Sequence, residues 1–323
     1  MAQGDGTPDL LLGRAVEGDT AALARLLSLT ESDPAAVASA VWGIERDAHV
    51  IGITGPPGTG KSTLASAMVT ALRAQSATVA VLAIDPTSPN SGGALLADRI
   101  RMAPHVVDPN VFIRSFATRG SVGGLSAAVP LAIRTLEAAA FSHVIVETVG
   151  VGQVELDIAS YADTVLVVLH PGWGDSLQAN KAGILEIADV FVVNKADRPG
   201  ADQAVGELHL AQSFGRASND DRWPEIPIVE TVATEGRGID ELVEQIRAHR
   251  QWLDREGAVE GRARRAQRVT DHLALVVGSL LEGTKSEILA SVRFEEAAAD
   301  VLQRRRDPWA AASELVELSR SSM

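Results

Sequence analysis

Apolar positions recur at three- and four-residue spacings over residues 9–44, as in "TAALARLLSL" and "PAAVASAVWGI", and this predicts amphipathic helices. Thr20 and Asp33 stand where N-caps belong, and Pro34 suits the first helical position after Asp33. The period then changes. Short β-branched runs occupy 50–54 (VIGIT), 78–84 (TVAVLAI), 143–147 (HVIVE), 164–169 (TVLVVL), 190–193 (VFVV) and 226–232 (IPIVETV). Most are apolar at every position, as parallel strands covered on both faces must be. Helix-length segments lie between them, such as 61–75 with Leu64, Met68, Ala71 and Leu72 on one face. This alternation predicts an α/β fold with a doubly wound, mostly parallel sheet flanked by helices. From about residue 239 the strands stop and the chain is helix-patterned, with turn signals at Gly257 and Gly283. The expected organisation is an N-terminal helical extension (1–45), a central α/β domain (46–250) and a C-terminal helical segment (251–323).

Composition narrows the function classes. Hydrophobic residues make up 46% of the 323, enough for a sizeable core. A net charge of −13 argues against nucleic acid as a partner. The basic stretches "GRARRAQR" (261–268) and "RRR" (304–306) lie in helical sequence among acids and read as solvated helix faces. With no cysteine, disulfides, thiolate zinc sites and iron–sulfur clusters are excluded. The first residues lack the basic start and apolar core of a secretory signal, and no run reaches the ~18–20 apolar residues of a membrane span. A cytoplasmic protein without membrane contact is expected.

Strand 50–54 runs into "GPPGTGKST" (55–63), which fits G-x-x-x-x-G-K-[ST] and predicts a P-loop NTPase core. Gly55, Gly58 and Gly60 let the backbone bend so that N–H groups of Pro57-flanked residues, Thr59 among them, face phosphate oxygens. The following helix offers its positive end, where Thr63 also lies. Lys61 would bridge the β- and γ-phosphates, and the Ser62 hydroxyl would ligate Mg²⁺.

"NKAD" at 194–197 closes another apolar run and fits the guanine-reading N-K-x-D signature of G proteins. Asp197 would accept from guanine N1–H and N2–H₂, a pattern that adenine reverses. Asn194 would contact the guanine edge, and the Lys195 stem would lie along the ring. "TVATEGRGI" (231–239) stands where G proteins place a short Ser-Ala loop beneath the base: Ala233 matches, and Val232 does not supply the serine. GTP is therefore expected over ATP.

"HVIVETVGVGQVE" (143–155) ends a strand with Glu147, which would face the Mg²⁺ region, against the alternative of a buried strand-end acid. Gly150 has the position whose N–H contacts the γ-phosphate, and aliphatic Val151 follows where a water-orienting glutamine is usual. Asp85 and Asp98 are further Mg²⁺ candidates, with turn or capping acids as the alternative. In this order, "GPPGTGKSTL", "DPTSPNSGGALLADRIRM", "TRGSVGGLS", "ETVGVGQVE" and "NKAD" resemble the methylmalonyl-CoA mutase-associated GTPases, also described as ArgK-type transport ATPases.

The resemblance covers nearly the whole chain. It implies a metallochaperone-like GTPase that binds an adenosylcobalamin-dependent mutase, protects it and gates cofactor delivery. It also implies a homodimer built by the C-terminal extension, and a phosphate and Mg²⁺ site of Lys61, Ser62, Asp85, Asp98 and Glu147. The loop "HPGWGDSLQANKAG" (170–183) resembles a partner-sensing switch with Asp175 and Lys181 as polar contacts, the alternative being ordinary surface charges. Without a glutamine after Gly150, slow intrinsic hydrolysis accelerated by the partner is expected; Gln153 stands farther along, and Arg114 or Arg119 would add charge in that state unless each is an ordinary surface arginine. Three rivals remain: a transport-associated ATP-dependent kinase, opposed by "NKAD"; a metal-insertion GTPase, opposed by seven scattered histidines and no cysteine; and a GTP-binding scaffold whose hydrolysis is incidental.

Overall fold

A computed structural model describes residues 6–85, 103–105, 107–117, 128–148, 157–173, 182–215 and 226–320. The strands are β1 (His49–Thr54), β2 (Val79–Asp85), β3 (Val111–Ala117), β4 (His143–Thr148), β5 (Thr164–Leu169), β6 (Val190–Asn194) and β7 (Ile228–Thr231). They form one sheet in the order β3-β2-β4-β1-β5-β6-β7, with every neighbouring pair parallel. Parallel pairing brings the C-terminal ends of all these strands, β1, β4 and β6 among them, to one edge of the sheet.

The described helices are α1 (Pro8–Val16), α2 (Thr20–Ser32), α3 (Pro34–Val41), α4 (Lys61–Ala74), α5 (Ala128–Ala138), α6 (Ala182–Glu186), α7 (Ala201–Gly215), α8 (Ile239–Asp254), α9 (Ala258–Leu289), α10 (Val292–Leu302) and α11 (Pro308–Arg320). Alternate strand residues Ile51, Ile53, Val81, Ile145, Leu166, Val168 and Val192 join Leu64, Met68 and Leu72 of α4 and Leu242 and Ile246 of α8 in one core. Each such large apolar side chain contributes ~1.5–3 kcal/mol by leaving water. α2 and α3 pack against α5.

Three local expectations change. Asp19, not Thr20, caps α2: its Oδ1 accepts from the backbone N–H groups of Ala21 (3.0 Å) and Ala22 (2.9 Å), and Thr20 becomes the first helical residue. Asp33 does cap α3, accepting from Ala36 N at 3.3 Å. β3 is an additional strand, hidden in "VFIRSFA" because Arg114 and Ser115 interrupt its apolar run. Arg114 in turn donates to Ala24 O (2.7 Å) and Ser28 Oγ (3.1 Å) and covers the Phe116 ring. It fastens α2 to the sheet edge, a structural role where the sequence leaves a surface arginine as the alternative to catalysis.

By its contacts the chain divides into residues 1–268 and 269–323. The expected helical segment from 251 thus begins inside the first unit, whose last helical stretch is the start of α9. Gly283 marks no turn, since it lies within the continuous α9. In the second unit α10 and α11 pack on each other. Leu273, Leu280, Leu281 and Trp309 there are 63%, 67%, 66% and 84% exposed. Among the described residues, no helix is long and apolar enough to cross a membrane.

At the N-terminal edge of the sheet lies a buried polar chain. His49 Nε2 is 2.8 Å from Thr164 Oγ1, which is 2.9 Å from His249 Nδ1. Burial lowers the pKa of all three histidines in this region, His143 and His249 below the ordinary value and His49 to about 3. The folded state therefore binds fewer protons than the unfolded chain. The stabilisation is complete above the unfolded value near 6.5 and is lost as pH falls from there towards 3. Unfolding free energy from urea titration should fall below pH 6.5 by up to ~1.4 kcal/mol per pH unit for His49. His49→Gln should flatten that slope; an unchanged slope would remove His49 as its source.

Candidate nucleotide site

The loop between β1 and α4 is shaped by its glycines. Gly55 has φ of +139°, and a Cβ there would meet Val168 O at 2.1 Å, so the chain presses onto β5 as only glycine permits. Gly60 has φ of +93°, and its missing Cβ leaves room for Asn194 Nδ2, which would otherwise stand 2.6 Å away. Thr59 Oγ1 donates to Pro56 O (3.1 Å), closing the turn that contains Pro57 and Gly58. Lys61, the first residue of α4, arches back over the loop, and its Nζ donates to Gly55 O (2.7 Å) and Pro56 O (3.1 Å). Ser62 and Thr63 complete the first turn.

Glu147 reaches this loop from β4, which lies beside β1 with Glu147 in register with Ile53. Its carboxylate is buried, and Oε1 accepts a 2.6 Å hydrogen bond from Ser62 Oγ. Asp85 ends β2, next to β4, where Ala83 pairs with Glu147, so its backbone arrives at the same edge. A hydroxyl and carboxylates are hard oxygen donors and fit Mg²⁺, which takes one or two protein ligands and completes its shell with water and phosphate oxygens. No cluster of three or more His, Cys, Asp or Glu suited to a metal occurs among the described residues. That is compatible with a cation held largely by the nucleotide. Asp98, Gly150, Val151, Gln153, Asp175, Lys181 and Arg119 lie outside the described residues.

The base-side loops are braced to the phosphate loop. Asn194, 2% exposed at the end of β6, donates from Nδ2 to Thr59 O (2.8 Å). Its Oδ1 accepts from Thr231 Oγ1 (3.1 Å) and Ala233 N (3.2 Å). The side chain expected at the guanine edge thus ties together the two loops that flank a base. Lys195 holds a left-handed backbone (φ 61°), and its Nζ donates to Gly58 O at 2.6 Å, laying the stem across the gap between base loop and phosphate loop. Ala196 N donates to Thr231 O (3.1 Å), and Asp197 follows in the exposed turn. Val232 bridges to Arg237 and fixes the loop carrying Ala233.

Two participants escaped the sequence reading. Thr231 belongs to the brace, and a hydroxyl at a strand end just before the base loop was its available signal. Gly52 in β1 receives Ile158, which would stand 2.6 Å from a Cβ there, and so anchors the chain returning from the segment after Glu147. Nothing in the spacing of those residues announces that contact.

Comparison with known proteins agrees with this geometry. Residues 23–288 match the family model for the methylmalonyl-CoA mutase-associated GTPase MeaB. A Pyrococcus abyssi protein whose name marks it as a proposed GTPase is 45% identical over 316 residues, covering 96% of each chain. A fused isobutyryl-CoA mutase of Cupriavidus metallidurans is 38% identical over 231 residues, which is 69% of this chain and 21% of that protein. The crystal structure of a LAO/AO transport system kinase, 25% identical, superposes with a TM-score of 0.65 and covers 99% of this chain and 100% of its own. The phosphate loop, its buried Ser62–Glu147 pair and the braced N-K-x-D turn belong to a P-loop GTPase, and the chain is a member of the MeaB family of methylmalonyl-CoA mutase-associated GTPases.

Proposed function

We propose that the protein is a GTP-hydrolysing chaperone of an adenosylcobalamin-dependent acyl-CoA mutase such as methylmalonyl-CoA mutase, protecting it and gating cofactor delivery. The observation that carries this reading is that a relative of this GTPase forms part of a fused isobutyryl-CoA mutase polypeptide. Sharing one chain is the strongest form of effective concentration, and it argues that the two activities operate together.

In this reading Lys61 contacts the β- and γ-phosphates, and backbone N–H groups of 58–63 hold their oxygens. Ser62, Glu147, Asp85 and Asp98 are the residues that would hold Mg²⁺, one or two of them directly and the others through its water shell, and the ion would supply positive charge to the phosphate oxygens. Lys195 and Asp197 hold the base, while Asn194 locks their loop to Thr59 and Ala233. Val151 after Gly150 has no polar group to orient water. Hydrolysis is accordingly slow until the mutase engages the 170–183 loop through Asp175 and Lys181. The exposed apolar side chains of the second unit support a homodimer through residues 251–323, and the chain works in the cytoplasm.

Single-turnover GTP hydrolysis with and without purified mutase, with ATP as control, tests the assignment. Stimulation of at least about tenfold for GTP is expected, the scale on which a partner reshapes a catalytic loop. An unchanged rate would remove the mutase as client, and equal use of ATP would favour a transport-associated kinase.

A further inference from the structure

The basic run 261–268, expected to be a solvated helix face, splits in two. Arg262 and Arg265 are exposed. Arg264 and Arg268, one turn apart on α9, instead reach buried carboxylates at the N-terminal edge of the sheet. Asp189 immediately precedes β6; its Oδ2 accepts from Val165 N of β5 (2.9 Å) and from Arg264 Nη1 (2.9 Å), and its Oδ1 accepts from Arg264 Nη2 (2.9 Å). Asp163 immediately precedes β5; its Oδ2 accepts from Val50 N of β1 (2.9 Å) and from Arg250 Nη1 (3.0 Å), and its Oδ1 from Arg268 Nη2 (2.6 Å). Arg268 also donates to Tyr161 O (3.1 Å).

The same device therefore occurs twice. An aspartate before one strand fixes the backbone of the neighbouring strand, and an arginine of α9 fixes the aspartate. Burial by itself would raise the Asp163 pKa, but the Arg268 and Arg250 charges and the Val50 N–H override it and hold the carboxylate below its ordinary range. A buried, charged aspartate without its arginine would be strongly disfavoured, so engagement of α9 and placement of the strand ends are tied energetically.

The three strands so held are β1, β5 and β6. Their opposite ends carry the phosphate loop, the 170–183 loop and the N-K-x-D turn. α9 itself continues past Arg268 into the second unit. A six-residue strand spans only ~20 Å and is packed on both faces, so a shift at one end is delivered to the other.

We propose that Arg264 and Arg268 are positioning residues that couple nucleotide occupancy to the seating of residues 258–268, the start of the C-terminal arm. This deepens the GTPase reading and rests on it. Coupling free energy is reciprocal, so nucleotide should tighten the latch and the latch should retain nucleotide.

Hydrogen exchange of the full chain with and without saturating GDP reads the first direction, with peptides over 55–63 as the control for binding. Amides of 258–268 should exchange at least about fivefold more slowly with GDP, the lower end of ordinary coupling between sites. The Arg264→Gln/Arg268→Gln double variant should lose that response and release GDP about tenfold faster, while Arg264→Lys/Arg268→Lys, which keeps the charges, should recover part of it. Protection at 55–63 with no change at 258–268 overturns the coupling while leaving the GTPase reading intact. A folded double variant with GDP release within about twofold of the parent also overturns it. Should the variants fail to fold, the parent chain's exchange decides alone. Absence of protection at 55–63 would sink the nucleotide reading itself, and this inference with it.

Discussion

Replacing Lys61 with alanine is expected to lower GTP turnover by at least ~10²–10³-fold, on the order of 3–4 kcal/mol of transition-state stabilisation. The phosphoryl group in flight spreads negative charge over oxygens that backbone N–H groups alone meet with partial dipoles. Lys61 brings a full charge to that place, on the first turn of α4, where it is itself buried and screening is weak. Its present hydrogen bonds to Gly55 O and Pro56 O show that Nζ reaches across the loop. Removing it also takes two donors from those carbonyls, each worth about 1 kcal/mol, so a small fall in thermal stability should accompany the loss. Single-turnover rates together with melting curves separate the two effects. A folded Lys61→Ala protein that hydrolyses GTP within about tenfold of the parent would exclude the assigned role.

The parts legible in the sequence are those where chemistry dictates residue type at short range. A phosphate loop needs glycine, lysine and a hydroxyl within nine positions, and "GPPGTGKST" supplies them. Fully covered parallel strands need apolar side chains on both faces, and most of the six runs show it. The edge strand β3 was not legible, because an edge strand tolerates the half-buried Arg114 and Ser115 on its opposite faces, and Arg114 serves a helix ninety residues away in sequence. Nor was the division of labour in "GRARRAQR", where Arg264 and Arg268 answer carboxylates 75 and 105 positions earlier. The brace at Asn194 shows the same limit. The motif revealed which residue would stand there, while its partners come from the phosphate loop (Thr59) and from the end of β7 and the turn after it (Thr231 and Ala233), segments that only the sheet order assembles. Long-range polar pairing has no period, and a periodicity argument cannot reach it.

Asp197→Asn is expected to lower kcat/KM for GTP by about 10³-fold while raising it for XTP, with ATP still rejected. A carboxylate accepts from both N1–H and N2–H₂ of guanine. An asparagine amide accepts from one and turns its own N–H₂ towards the other, leaving two donors facing each other. The lost charged hydrogen bonds and the unpaired donor together amount to roughly 3–5 kcal/mol. Xanthine replaces the N2 amine with a carbonyl, which accepts what asparagine donates. The substitution should leave the fold intact: Asp197 is exposed, and its turn is held by Ala196 N to Thr231 O and by Lys195 Nζ to Gly58 O, neither of which involves the carboxylate. Melting temperature should therefore stay constant while nucleotide preference inverts. Steady-state kinetics with the three nucleotides would show it directly. Unchanged GTP kinetics in the variant would mean that the base is read elsewhere, and the N-K-x-D assignment would then fail despite its bracing.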